Sequence, residues 1–204
     1  MSRIAVIYYS STGATYTIAQ AYVEGATEAG AEVRLRRAAE LAPQSVIDSN
    51  EAWAAHQDET KHIEIATPAD LAWSDGYILG APTRFGQPAS QLKQFIDTTS
   101  GPWVEGQLAG KPATVFTSTT ERHGGQEATL LSLHHTLFHW GATILPTGYV
   151  DYALSHAAGG NPYGVSAITG DAKPDEHVLA LARFQGQRMA KFASVIASME
   201  MVPA

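Results

Sequence analysis

The chain of 204 residues contains no cysteine, and this absence excludes several kinds of chemistry. Thiolate nucleophiles, disulfide frameworks, iron–sulfur clusters and thiolate zinc sites all require the missing side chain. Charged residues are also scarce, at 16% against the roughly 25% that is usual for globular proteins. A surface with so few charges indicates that part of it is covered in an oligomer.

Basic residues are outnumbered, since 13 Lys and Arg stand against 20 Asp and Glu and give a net charge of −7. Nucleic-acid binding relies on concentrated Lys and Arg. The densest basic cluster, Arg34, Arg36 and Arg37, is too small to form a groove. We therefore expect no nucleic-acid partner.

Long hydrophobic runs are missing as well. The first apolar run, at 4–9, is too short for the core of a secretion signal. No run approaches the roughly 18 residues that a membrane-spanning helix needs. The sequence therefore predicts a soluble, cytoplasmic protein with no membrane partner.

Strand and helix patterns alternate along the chain. Strands are predicted at 3–9, 31–37, 76–80, 111–117 and 142–145, and helices at 14–29, from 67, and at 87–98, 127–140 and 175–198. This alternation predicts an α/β fold with a parallel sheet and helices on both faces. We expect one domain over 1–204, with insertions at about 41–66, irregular except for a short helix near Trp53, and at 146–174, a long loop.

The strongest local signal is a hydroxyl-rich turn between the first strand and the first helix. It reads Ser10, Ser11, Thr12, Gly13, Ala14 and Thr15. Backbone N–H groups and hydroxyls at a helix N-terminus favour an anion. The turn has neither the lysine of a triphosphate-binding loop nor the glycine pattern of a dinucleotide site. It therefore favours a monoester phosphate, although a helix cap alone would account for one such hydroxyl.

Two further loops follow the third and fourth strands, at the sheet edge where ligands bind in such folds. They carry Pro82, Thr83, Arg84, Phe85 and Gly86, and Ser118, Thr119, Thr120, Gly124 and Gly125. These side chains suit a planar polar ring, but taken alone Arg84 is better explained as a surface charge and Phe85 by packing. Trp103, in a connection rich in Gly and Pro, either stacks on a ring or closes the sheet edge.

Other chemistry was weighed for the remaining polar residues. His135 and His139 are four residues apart, a spacing that can bind a metal. Position 136 is threonine, so the acid of a metalloprotease motif is missing, and we expect no metal, with His135 at the surface or in an interface. The G-x-S-x-G pattern of hydrolases is absent. Asp97 is expected as a surface acid at a helix end, with a contact to a neighbouring subunit's site as the alternative, and Trp53 is expected as a packing residue.

Together, these residues resemble the flavodoxin-like NAD(P)H:quinone oxidoreductases of the WrbA family, named for the tryptophan-repressor-binding protein. The resemblance covers essentially the whole chain, and its most specific pieces lie at 82–86, 124–127, 148–149 and 160–164. It implies a flavodoxin-like three-layer sandwich with five parallel strands in the order 2-1-3-4-5. It also implies a homotetramer, a dimer of dimers.

The resemblance further implies FMN as cofactor and two-electron reduction of quinones by NADH or NADPH. Residues 10–15 would bind the phosphate, and 82–86 with 118–125 the ring and ribityl chain. His139 would lie near the flavin, Trp103 and Thr12 on the substrate side, and Arg84 and His139 would act as donors in catalysis.

Three positions depart from the family pattern. Thr12 stands where the family usually has tyrosine, Ala14 replaces a common histidine, and 120–123 is poorer in glycine. Two alternatives therefore stay open: a one-electron carrier of the flavodoxin type, and a non-catalytic FMN-binding regulatory or scaffold protein.

Overall fold

The structure is a computed structural model that describes residues 1–170 and 173–199. The strands are β1 (Arg3–Tyr8), β2 (Glu32–Arg37), β3 (Gly76–Arg84), β4 (Gln87–Pro88), β5 (Pro112–Thr119), β6 (Thr143–Ile144) and β7 (Val165–Ile168). The helices are α1 (Ala14–Glu28), α2 (Gln44–Asp48), α3 (Glu51–Thr60), α4 (Pro68–Trp73), α5 (Ser90–Asp97), α6 (Ser100–Val104), α7 (Gln126–His139), α8 (Tyr152–Ala157) and α9 (Glu176–Ala197).

The predicted parallel α/β sheet is confirmed, but the count of five strands is wrong. Within the described ranges the sheet has seven strands, with β2-β1-β3-β5-β6 as its main path. The predicted order 2-1-3-4-5 reads 2-1-3-5-6 because the short β4 precedes the expected fourth strand. β4 pairs antiparallel with β3, so the sheet is not purely parallel.

The edge of the sheet beside β5 is divided between two short strands. β6 pairs with the first residues of β5, Pro112 and Ala113. β7 pairs with its second half, from Phe116 to Thr119. Part of the long loop expected at 146–174 is therefore α8 and strand β7; residues 171–172 of that segment and 200–204 of the predicted domain lie outside the described residues.

Two hydrophobic layers enclose the sheet, because its strands are apolar on both faces. One layer packs α1 and α9 against it, with Ile18, Tyr22, Leu181 and Met189 fully or almost fully buried. The other packs α4, α5 and α7, with Leu71, Leu92 and Leu133 among its buried residues. This is the predicted three-layer arrangement.

The segment at 41–66 is more regular than expected. It contains α2 and α3, and Asn50 caps α3 by accepting a hydrogen bond from the N–H of Trp53. The short helix expected near Trp53 is α3, whereas α2, with only five residues, was not predicted. In the part of the chain that the structure describes, no helix is long and apolar enough to cross a membrane.

Candidate functional site

A polar pocket of about 150 Å³ lies at the carboxyl ends of β1, β3, β5 and β7. It is lined by Ser10, Ser11, Thr12, Ala14, Thr15, Pro82, Thr83, Arg84, Ser118, Thr119, Thr120, Thr169 and Gly170. The three sequence-predicted loops therefore meet in one place. Thr169 and Gly170 were not predicted, because no sequence pattern indicates that a second edge strand ends there.

The turn at 10–15 is held in shape by its own hydrogen bonds. Gly13 precedes α1 in a left-handed conformation with φ of 101°, which favours glycine. Its N–H donates to Ser10 Oγ at 3.0 Å, and its carbonyl accepts from Thr17 Oγ1 at 3.1 Å. The hydroxyl hydrogen of Ser10 remains available to a ligand, beside the free N–H groups of the first turn of α1.

Two of the three loops are joined at the floor of the pocket. The hydroxyls of Thr15 and Ser118 are 2.8 Å apart, and either can donate. Both residues are buried. If one hydroxyl donates to a bound anion, the other can donate to it in turn. The pair can therefore orient its hydrogen bonds towards an anion.

Arg84 brings a positive charge to the mouth of the pocket. Its Nη1 donates to the carbonyl of Thr83 at 2.8 Å, and its Nη2 donates to Ser11 Oγ at 3.3 Å. The guanidinium is thus held between the first and second loops. It is exposed, so it keeps donors free for a ligand.

The second and third loops touch closely beside the pocket. A Cβ on Gly125 would lie 2.8 Å from the Cα of Gly86, so this approach requires glycine. Thr83 Oγ1 donates to the carbonyl of Gly124 at 3.3 Å. Phe85, between these contacts, is fully exposed and has a positive φ of 53°. Gly13, Phe85, Gly86, Gly124 and Gly125 do not line the pocket itself, but they shape the loops that do.

His139 and Trp103 lie apart from this pocket. Trp103 Nε1 donates to the carbonyl of His139 at 2.9 Å, and both residues line a separate cavity of about 350 Å³. A third cavity of about 710 Å³ shares Arg84 with the polar pocket and Lys93, Asp97 and His135 with the cavity at Trp103. Within one chain, the polar pocket and the cavity at Trp103 and His139 are therefore two separate sites, and a surface groove runs between them.

The groove contains several polar side chains. Asp97, expected as a surface acid, forms an ion pair with Lys93 on the same helix. His135 is exposed, as expected. Within residues 1–170 and 173–199, no group of three or more His, Cys, Asp or Glu is arranged to hold a metal ion.

The chain is similar to a known protein family over most of its length. A family model described as "NADPH-dependent FMN reductase" matches residues 2–157. The chain belongs to this family. The family resemblance drawn from the sequence motifs is thereby confirmed.

Curated relatives of this FMN reductase family member cover most of its length. A protein named NAD(P)H dehydrogenase (quinone) from Deinococcus radiodurans is 46% identical over 172 residues, 84% of this chain and 85% of its own. One of the same name from Chromohalobacter salexigens is 42% identical over 204 residues, covering 97% of this chain and all of its own.

Solved structures confirm the flavodoxin-like fold. A flavodoxin, WrbA-like protein from Agrobacterium tumefaciens superposes with a TM-score of 0.65 at 23% identity, over 98% of this chain and 100% of that one. A flavodoxin from the domain Archaea gives a TM-score of 0.61 at 14% identity, over 94% and 99%.

In this family member, the helices of 41–66 are tied to the site by Glu40, which sequence reasoning missed. Its Oε2 accepts from the hydroxyl of Tyr9 at 2.8 Å and from Trp53 Nε1 at 3.1 Å. Its Oε1 accepts from Gln91 Nε2 at 2.7 Å and from two backbone N–H groups. Trp53, expected to pack, is thus also a hydrogen-bond donor.

These bonds perturb the acidity of the groups they join. Burial alone would raise the pKa of Glu40, but the accepted hydrogen bonds outweigh it and hold that pKa below its usual range. Burial, followed by the bond to Glu40, raises the pKa of Tyr9. Glu40 is therefore a carboxylate and Tyr9 a neutral donor at neutral pH. No local sequence signal points to this cluster, because Tyr9, Trp53 and Gln91 are distant from Glu40 along the chain.

Proposed function

We propose that this protein reduces quinones to hydroquinones by two electrons, using FMN as cofactor and NADH or NADPH as reductant. The observation that carries the proposal is the hydroxyl-lined pocket at the N-terminus of α1, where three loops from parallel strands converge. Family membership and the activity in the names of the relatives, NAD(P)H dehydrogenase (quinone), support the same reaction.

The donor set fits the phosphate monoester of FMN. Ser10, Thr15 and the first N–H groups of α1 are neutral donors, and Arg84 adds one charge. Four or five charge-assisted hydrogen bonds supply about 6–15 kcal/mol in total, of the same order as the cost of association, about 4–15 kcal/mol. The ligand therefore needs a second, largely apolar contact area, and the groove beyond Arg84 offers it.

We assign the ring and ribityl chain of FMN to residues 82–86 and 118–125. Pro82, Thr83, Ser118, Thr119 and Thr120 line the pocket directly. Gly86, Gly124 and Gly125 let the two loops approach. Phe85 presents an exposed ring beside them.

The reaction divides between the cofactor and the chain. FMN, when bound, supplies the two-electron redox chemistry. Arg84 places positive charge where negative charge develops, and the imidazole of His139 offers a hydrogen-bond donor to the flavin or quinone. Trp103 offers a flat surface against which an aromatic substrate stacks, and Thr12, exposed at the rim, contacts the nicotinamide nucleotide.

We further propose that the working unit is a homotetramer whose sites lie between subunits. In one chain, His139 and Trp103 are separated from the phosphate-binding turn by the groove. A second subunit placed over the groove would bring its own Trp103 to the site. Exposed aromatic residues such as Phe85, Phe138, Tyr149 and Tyr152 support such burial.

The cofactor is tested by titrating the flavin-free chain with FMN and with flavin adenine dinucleotide. We expect tighter binding of FMN, and a Thr15→Val variant that binds FMN about 1–3 kcal/mol more weakly. Thr27→Val is the matched control, because Thr27 lies on the exposed far end of the same helix. Equal or tighter binding of the dinucleotide would contradict the proposal.

Turnover is tested by anaerobic mixing of the FMN-loaded protein with NADH or NADPH. We expect the flavin absorbance to bleach, and steady-state lines with a quinone to run parallel, since two substrates use one site in turn. A flavin that neither nucleotide bleaches would instead support the one-electron carrier or the scaffold.

Shared sites are tested by complementation. A Trp103→Ala chain and a Ser10→Ala/Thr15→Val chain are each expected to be poorly active, and hybrids formed by dissociating and reassembling them together should recover activity. Light scattering gives the mass of the unit. An active, fully flavinated monomer would overturn the tetramer.

The remaining parts of the proposal concern the whole chain. We propose a single domain over 1–204, no nucleic-acid partner because of the net charge of −7, and no membrane partner. NADH and NADPH are cytoplasmic metabolites, so we place the protein in the cytoplasm; cell fractionation tests this assignment.

A further inference from the structure

His56 is a buried imidazole directly behind the phosphate-binding turn. It lies on α3, and its exposed fraction is 5%. Its Nδ1 lies 3.5 Å from the position that a Cβ on Gly13 would occupy. Among residues 1–170 and 173–199, no atom forms a hydrogen bond with this nitrogen. A buried polar atom without a partner is costly, so its place behind Gly13 calls for an explanation.

The surroundings of His56 come from α1, α3, β1, β2 and the segment that follows β2. Tyr16 of α1 packs its ring against the imidazole at a centroid distance of 5.4 Å. Glu59, one turn along α3, has its Oε2 at 3.6 Å from Nδ1, beyond hydrogen-bond distance. Tyr8, Arg37 and Glu40 line the same small cavity of about 30 Å³ as His56.

Ser10 connects this cavity to the site. It lines the cavity at His56 and also the polar pocket in front of the turn. Ser10 Oγ is bonded to the N–H of Gly13. The imidazole and a bound phosphate would therefore lie on opposite sides of one thin layer, formed by Ser10 and Gly13.

We propose that His56 is a positioning residue for the phosphate of FMN: it supports Gly13 from behind, and phosphate binding draws a proton onto its imidazole. The inference rests on the proposed binding of FMN at residues 10–15. It assigns a role to α3, which the family resemblance did not include. It also supplies positive charge to a turn in which Ala14 stands where the family commonly has histidine.

The sign of the effect follows from electrostatics. Burial lowers the pKa of His56 below its usual value, with Glu59 opposing the shift, so the flavin-free protein holds it neutral at pH 7. A phosphate dianion bound in the pocket, on the other side of Gly13 from His56, favours the charged imidazole and raises the pKa of His56. Proton uptake and phosphate binding are then linked, and FMN binds more tightly as the pH falls through this range.

The experiment compares dissociation constants between pH 8 and pH 5.5, using the full chain freed of flavin. The variants are His56→Gln, which keeps polarity, and His56→Phe, which keeps the ring against Tyr16. His62→Gln, an exposed histidine just after the same helix, is the control. Taking the ratio of variant to wild-type constants at each pH cancels the titration of the FMN phosphate itself.

We expect this ratio for FMN to rise about three- to tenfold as the pH falls to 5.5, which requires a pKa rise of at least about half to one unit on binding. For riboflavin, which lacks the phosphate, the ratio should stay flat. The control should show no change with either ligand. In wild-type protein, NMR titration of the His56 ring should give a higher pKa with FMN than without it, which also covers the case of a variant that fails to fold.

Failure of this inference is distinct from failure of the proposed function. A wild-type chain that does not bind FMN would overturn the cofactor itself. FMN binding with a flat ratio, or an unchanged pKa of His56 on binding, would overturn the role of His56 alone. A ratio that rises equally for riboflavin would show that the histidine acts on folding rather than on the phosphate.

Discussion

Glu40 links helix α3 to Tyr9, which precedes the phosphate-binding turn. Its substitution should therefore weaken the attachment of α3 to the site. Its carboxylate accepts five hydrogen bonds, from Tyr9, Trp53, Gln91 and the backbone of residues 41 and 42. A Glu40→Gln substitution keeps the size but replaces one accepting oxygen with a donating NH₂ group. Wherever that group lies, at least one N–H donor then faces another donor.

The magnitude follows from these contacts. A hydrogen bond to a charged group contributes about 1.5–3 kcal/mol, and a donor left unpaired costs about 1–3 kcal/mol. Because Glu40 is only partly buried, we expect the Glu40→Gln change to lower the free energy of unfolding by about 2–4 kcal/mol. Since α3 carries His56, FMN binding should weaken as well.

The assay is urea unfolding followed by circular dichroism, with Glu64→Gln as the matched control. Glu64 is exposed, and among residues 1–170 and 173–199 its carboxylate pairs only with Arg36, so its loss should cost less than about 1 kcal/mol. Glu40→Gln combined with Trp53→Phe should be less damaging than the sum of the single changes, because the unpaired indole N–H is gone. A loss below about 0.5 kcal/mol for Glu40→Gln would refute the reasoning.

The pH dependence gives an independent check. The folded pKa of Glu40 lies below its usual value of 4.5, so its stabilisation is present above pH 4.5 and is lost as the pH falls through the folded pKa. The stability difference between wild type and Glu40→Gln should therefore shrink in acid. A difference that stays constant down to pH 3 would contradict this assignment.

Three further predictions concern other parts of the fold. Gly25→Ala would place a Cβ 1.9 Å from the carbonyl oxygen of Arg183 and should destabilise the protein by about 2 kcal/mol or more in thermal unfolding, whereas Gly101→Ala, with open space around it, should not. Burial lowers the pKa of Lys111 to about 8, so stability should rise from pH 8 towards pH 9.5 while the unfolded chain keeps its proton, and this rise should vanish in Lys111→Arg. Phe85→Gly should relieve the positive φ and stabilise the flavin-free chain by about 1 kcal/mol while weakening FMN binding; unchanged stability would mean that the loop relaxes without strain.

The strands and the three site loops could be predicted because their signals are local. Apolar runs such as 3–9 and hydroxyl clusters such as 10–15 need no knowledge of distant residues. The strand predicted at 142–145 corresponds to β6. The split of the edge could not be predicted, because β7 has four residues in a segment expected as a loop and gains its identity only by pairing with β5. Glu40 and His56 were missed for the same reason: each is one polar residue in an ordinary stretch, and its partners lie on other elements. The family resemblance placed Trp103 and His139 at the flavin site. In one chain they are neighbours, and their separation from residues 10–15 depends on tertiary geometry.

The pairing of the first helix with the last has a consequence for synthesis on the ribosome. Sheet strands β1 to β7 are complete before α9 emerges, yet Leu181, Ala182 and Met189 of α9 close one face of the sheet. At about 5–20 residues per second, the 22 residues of α9 take roughly one to four seconds to make. During that interval the nascent chain exposes the apolar face that α9 covers in the finished protein, and a chaperone or a second nascent copy can bind there.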